Sequence, residues 1–304
     1  PGMAINGMTT TGQMQFASRP GAAPAEFLSA LASGNVQAGA AKLSVAGREV
    51  TELRLEGELT GADRGASGPL TLTTGRVTAP EGEADGLVLA GEVRGEEAGG
   101  ISFDGALSVS GASLSEDIRT QAGAAFSLPG VLEGHVGSLQ TALDKGLSGF
   151  DATVGLGASA ANKSLTLYGT GDSAVEANSG LSLRIRALED RPWLTFSQDR
   201  ISARGNIALS GGGSPSASLA LREFDYTPSA MTLAADAFIL RDWSVGGRMI
   251  SAAVSDIRIE DRPGDLQFAA RGDFGFAGEA GGVTFEPTRI RGGLDGARSS
   301  EGWR

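Results

Sequence analysis

Leu53-Arg54-Leu55-Glu56-Gly57-Glu58-Leu59 alternates strictly: Leu, Leu, Gly and Leu take the odd positions, and charged side chains fill the positions between them. Successive side chains of a β-strand point to opposite faces, so this stretch has one apolar face and one charged face, as a half-buried antiparallel strand requires. The pattern recurs along the chain, at Leu70/Leu72, Leu87/Leu89/Val93, Ile101/Phe103/Leu107/Val109 and Leu165/Leu167. It continues at Leu181/Leu183/Ile185, Leu194/Phe196, Ile207/Leu209, Leu219/Leu221, Met231/Leu233, Ile257/Ile259, Leu266/Phe268, Phe274/Phe276 and Val283/Phe285. Turn signals such as Pro80-Glu-Gly-Glu, Gly211-Gly-Gly-Ser-Pro and Gly281-Gly separate the runs. The spacing predicts an all-β, antiparallel protein of roughly 18–22 short strands.

Three segments share the unit apolar-x-Gly-x-apolar: Leu55–Leu59, Leu89–Val93 and Phe103–Leu107. Glycine inside a strand marks a bend or bulge, and its repeated placement on the apolar side predicts a curved sheet. An internal echo is also present. Glu189-Asp190-Arg191-Pro192 precedes Leu194–Phe196, Glu260-Asp261-Arg262-Pro263 precedes Leu266–Phe268, and the two segments run on to Arg204-Gly205 and Arg271-Gly272. This reads as a reused hairpin with a charged tip. Helix is expected only at 25–32, after Pro24, and at 138–145, where Leu139 and Leu143 lie four apart and Gly146 is a stop signal. The resulting organisation is a β segment over 1–110, an irregular insertion over 111–150 and a second β segment over 151–304.

Composition narrows the function. The 304 residues carry a net charge of −11, which disfavours nucleic acid and anionic lipid surfaces as electrostatic partners. There is no Cys and one His, so thiolate sites, disulfides and His-based catalysis or zinc binding are not expected. His135 reads as an edge residue. No P-loop, G-x-S-x-G or H-E-x-x-H segment occurs, and no nucleophile–base pair can be assembled. The expectation is therefore a non-enzyme with no cofactor and no metal. Gly155-Leu-Gly157-Ala-Ser-Ala160 lacks a βαβ context, and Arg271-Gly272-Asp273 lies where strand alternation begins, so neither is read as a site. Trp193, Trp243 and Trp303 stand near turns, where an indole caps packing or lines a rim. The 47 glycines are about twice the usual share. With only 12 Phe, 3 Trp and 2 Tyr, large side chains are too few to fill a wide closed barrel.

So many strands cannot remain flat. The expected fold is an elongated, twisted sheet folded lengthwise into a groove, a β-taco or open β-jellyroll, with one or two short helices. Its apolar lining would be Leu53, Leu55, Leu87, Leu89, Phe103 and Leu107 in the first segment. In the second it would be Leu183, Ile185, Leu194, Phe196, Ile207, Leu209, Leu219, Leu221, Ile257, Ile259, Leu266, Phe268, Phe274 and Phe276. An apolar trough costs about 25 cal/mol for each Å² left to water, and acyl chains would fill it without any headgroup chemistry.

The glycine-punctuated strands, the repeated apolar-x-Gly-x-apolar unit and the phrase Val283-Thr-Phe-Glu-Pro-Thr-Arg-Ile-Arg-Gly-Gly-Leu-Asp-Gly296 resemble the bacterial AsmA-like proteins. Residues 181–296 are most similar to the YdbH type, with TamB next. The resemblance implies a periplasmic β-groove that carries phospholipids between the inner and outer membranes of a Gram-negative cell. It also implies an inner-membrane anchor outside this chain, read here as a piece of a longer protein, and an outer-membrane or lipoprotein partner. The family contributes no catalytic residues. The alternative is a secreted or surface β-sandwich or β-solenoid, structural or adhesive, whose alternating faces meet in a filled core.

Overall fold

The structure, a computed structural model, describes residues 3–16, 31–62, 65–95, 100–125, 137–161, 164–188, 191–211, 216–245, 248–280, 283–299 and 302–303. They form 21 strands and two helices, with antiparallel pairing throughout. The chain divides into two compact units, one of residues 1–119 and 147–169, the other of residues 120–146 and 170–304.

The first unit is a meander. β1 (Met3–Asn6) and β2 (Thr9–Phe16) share the neighbour β3 (Leu31–Val45), which pairs with β4 (Arg48–Ala62). Opposite β4 lie β5 (Gly65–Thr74) and β6 (Val77–Ala79), in effect one interrupted strand. The next pair, β7 (Gly82–Ala84) and β8 (Gly86–Gly95), lies against β9 (Ile101–Leu114). β10 (Phe150–Ala161) and β11 (Ser164–Gly169) complete the unit.

The second unit repeats this design. β12 (Ser173–Ala177) pairs with β13 (Leu181–Arg186). β13 and β14 (Leu194–Ser197) both lie along β15 (Arg200–Gly211). From there each strand pairs with the next: β16 (Ser216–Thr227), β17 (Ala230–Val245), β18 (Arg248–Arg262), β19 (Asp265–Ala280), β20 (Val283–Ser299) and β21 (Gly302–Trp303).

Helix α1 (Glu116–Ala125) follows β9, with Ser115 before it and Glu116 and Asp117 in its first turn. The two carboxylates suit the positive end of the helix dipole, a start signal that the sequence reading passed over. Helix α2 (Gly137–Leu147) covers the expected 138–145 segment and extends past Gly146. Gly146 serves close approach rather than termination: a Cβ there would lie 2.8 Å from Leu181 Cδ2. Leu181, 7% exposed, and Ala142 are accordingly among the few buried apolar residues.

Three expectations need correction. Residues 25–30 of the first expected helix lie outside the described residues, and Leu31 and Ala32 open β3 instead. The two Glu-Asp-Arg-Pro segments are not equivalent. Pro263-Gly264, with Gly264 at φ +80°, turns β18 into β19 as Pro and Gly do at the centre of a type II turn. Arg191-Pro192 instead lies between β13 and β14, which run in the same direction along β15. Finally, many strands are longer than the alternating runs, up to the 17 residues of β20. Bulges cause this in the second unit. β16, β17 and β18 each gain a residue at one level, beside Arg222, Asp236 and Asp256 (φ +52°). Two runs of opposite phase, such as Ala252/Val254 and Ile257/Ile259, thereby join into one strand whose apolar residues stay on one face.

The apolar-x-Gly-x-apolar unit has a packing reason. Gly91 and Gly105 are cross-strand partners, and the Phe103 ring lies over both. A Cβ on Gly105 would come within 2.7 Å of Gly91 Cα and 2.8 Å of Phe103 Cζ. Gly105→Val is expected to destabilise the chain by at least about 2 kcal/mol, because backbone and ring must both give way. A urea midpoint matching that of the wild type would show that this packing is not needed.

Candidate functional site

Directly opposed residues of an antiparallel pair project to the same side of the sheet, so register assigns faces. In the first unit Ala38, Leu55, Leu72, Leu89, Leu107 and Val154 form one unbroken cross-strand row. A parallel row runs through Leu87, Val109 and Ala152, and another through Val93, Phe103, Ala158 and Leu167. Leu53 faces Ala40 on the same side. All six residues expected to line the apolar face of this segment are therefore neighbours on one face.

The second unit shows the same order. Leu183, Leu209, Ala217, Leu240, Ala252, Phe274 and Ile290 occupy one row from β13 to β20. Ile185, Ile207, Leu219, Phe238 and Val254 make the next. Leu221, Ala235 and Ile257 follow at the level of the bulges, where Ala235 is 2% exposed. Leu194, Ala203, Phe224, Leu233, Ile259 and Phe268 form a fourth row. Phe196, Ile201, Tyr226 and Met231 form a fifth, which meets Asp261 and then Leu266. Phe276 holds a register position opposite Ile250. The sequence reading passed over Phe238, Leu240 and Val254, which lie beyond the bulges. The available signal was the slip in alternation at Asp236 and Asp256.

These rows are half-buried, not sealed. Among the described residues no large side chain is fully buried, and the buried apolar set consists mostly of alanines.

The opposite face carries the charge. Arg200 donates two hydrogen bonds to Asp225, of 2.7 and 2.6 Å, and Arg76 pairs with Glu83 at 2.5 Å. Arg222 pairs with Asp236, and Arg271 lies 3.6 Å from Asp256. A recess of about 330 Å³ beside the bulges is lined by Arg222, Asp256, Arg258 and Arg271, several of them engaged in these pairs. Asp273 of the Arg-Gly-Asp triplet sits in mid-strand between β18 and β20 and accepts hydrogen bonds from Arg289 (2.6 Å) and Arg291 (3.1 Å). Gly155–Ala160 is likewise a strand paired on both sides, with no phosphate-cradling turn. His135 lies outside the described residues. The Trp193 indole Nε1 is buried without a hydrogen-bond partner. Among the described residues there is no cluster of metal-ligating side chains and no helix long and apolar enough to cross a membrane. The candidate site is thus an extended apolar sheet face in each unit.

The chain matches no protein-family model, and no characterised protein or solved structure is significantly similar to it. Any functional reading therefore rests on this surface and on the residues that build it.

Hydrogen bonding from Arg289, reinforced by Arg291, holds the Asp273 carboxyl below its ordinary value of 3.8. A depressed folded-state value stabilises the fold above the unfolded value, and that contribution disappears as pH falls through the folded one. Asp273→Asn is expected to lower the urea midpoint at neutral pH, with the gap to the wild type narrowing as pH falls below the ordinary carboxyl value of 3.8 and through the depressed folded one. A gap that stays constant with pH would refute the linkage.

Proposed function

We propose that this chain is a segment of a periplasmic lipid carrier whose apolar sheet faces hold phospholipid acyl chains in transit between the inner and outer membranes. The observation that carries the reading is the unbroken run of apolar cross-strand rows, spanning β3 to β11 and β13 to β20, that remain half-exposed. Soluble monomers rarely leave large contiguous apolar patches open, and such patches mark binding surfaces. Each 100 Å² of this face left to water costs about 2.5 kcal/mol, which a bound acyl chain would recover. A ligand recognised by its hydrocarbon needs no charged constellation, and the charges here lie on the other face, several of them in ion pairs. The likeness of the Gly-punctuated strands to AsmA-like proteins supports the same reading. Under it, an inner-membrane anchor and an outer-membrane or lipoprotein partner lie outside this chain, and the protein carries without catalysing.

Native mass spectrometry with lipid extraction, on the chain purified from a Gram-negative periplasm, is expected to find several phospholipids per chain. A lipid-free, monodisperse protein would instead favour the structural or adhesive module. Leu183 and Leu209 are direct cross-strand partners, so Leu183→Asp with Leu209→Asp places two carboxylates in the middle of one row. The double variant is expected to lose most of the lipid bound by the second unit while keeping its far-UV circular dichroism. Undiminished occupancy in a folded variant would remove this face from the binding surface.

A further inference from the structure

We propose that the charged face of the second unit carries a site for a small phosphate ester, with Arg258 as the principal anion ligand, Arg222 and Arg271 beside it, and a neighbouring recess for the ester's hydroxylated part. The inference does not depend on the lipid reading above. An acyl chain held on the apolar face could not place its headgroup here, because the hydrogen-bonded sheet lies between.

The bulges build the site. Ala234, Arg258, Ala269 and Asp295 are successive cross-strand partners on the charged face. The two alanines leave a basin on either side of Arg258. With Arg222 and Arg271 they line a recess of about 330 Å³, within the usual size range of small-ligand sites. Arg222 enters from the bulge of β16, and Arg271 stands opposite Ser255 at the bulge of β18. Asp236 pairs with Arg222, and Asp256 lies 3.6 Å from Arg271. A guanidinium has five N–H donors, so one carboxylate does not exhaust either group. Among the described residues Arg258 makes no ion pair or side-chain hydrogen bond, and the carboxylate two positions on, Glu260, lies 3.5 Å from Arg262.

The chemistry of the lining selects the ligand. Forked guanidinium donors match the oxygens of a phosphate group. Glu223, opposite Ala234, and Asp295 close the row at its two ends, and the whole chain carries a net charge of −11. A long polyanion would meet that negative surroundings, whereas a compact anion fits within the basic patch. A second recess, of about 410 Å³, shares Arg258, Ala269 and Asp295 with the first and adds Glu260 and Gln267. The Gln267 Nε2 donates to Asp265 at 3.0 Å, which leaves its Oε1 to accept. Gln267 and Glu260 thus offer acceptors to the hydroxyls of a polyol whose phosphate is held at Arg258. The ligand class is a phosphate monoester of a small polyol.

Isothermal titration calorimetry of the full chain at low ionic strength, where screening is least, tests the site. Glycerol 3-phosphate is expected to bind one-to-one with a Kd of about 1 mM or tighter, and inorganic phosphate at least about threefold more weakly. Arg258→Gln is expected to weaken both by at least about tenfold. Arg54→Gln removes the same charge from an exposed position of β4 and is expected to leave binding unchanged. Far-UV circular dichroism checks that both variants keep the fold. A wild type without saturable binding, or a loss shared equally by Arg54→Gln, would overturn the site. Inorganic phosphate bound as tightly as the ester would overturn the part given to the second recess. A chain that ignores both probes but cosediments with phosphatidylglycerol vesicles would move the phosphate to a membrane and overturn the soluble ester.

Discussion

Every feature described here depends on a property of antiparallel pairing: residues that face each other across a ladder project to the same side of the sheet. A single strand with alternating polarity has an apolar edge of a few side chains. Once each hairpin keeps its register, Leu55, Leu72, Leu89 and Leu107 become contiguous, and a pattern written separately in four strands becomes a surface. A one-residue slip in any hairpin would turn half of that surface to the charged side, so register and two-facedness are the same constraint.

Keeping that constraint over many strands requires local devices. In the first unit the Gly91–Gly105 pair leaves room for the Phe103 ring to lie flat across the sheet. In the second, long strands would lose phase with their neighbours were it not for the bulges at Arg222, Asp236 and Asp256, which correct three adjacent strands at one level. The charged residues beside these bulges pair with one another in solvent, where such pairs contribute little stability. Their positions are better understood as a consequence of the phase correction than as its cause.

A sheet with one apolar face normally meets a second layer. Here the apolar rows stay half-exposed while charged side chains, several of them in ion pairs, take the other face, and this division supports the reading of a carrier for hydrocarbon chains.

Sequence alone determined the secondary structure class and, within each alternating run, which side chains share an apolar side. Period two is a local property, legible in Leu53–Leu59 without knowledge of any partner. For the same reason α2 was legible from the spacing of Leu139 and Leu143, while α1, with weak apolar periodicity, was not. Tertiary structure alone decided which runs join into one strand, because a bulge is recognised only when the opposing strand shows one residue against two. Pairing also separated the two Glu-Asp-Arg-Pro segments, one at a hairpin turn and one between strands that share β15. It revealed that Gly146 is an approach site for Leu181, since a glycine's role depends on what lies opposite the missing Cβ. Whether the apolar faces would be sealed was likewise undetermined by alternation, because a filled sandwich and an open sheet share the same pattern and differ only in what faces the apolar side.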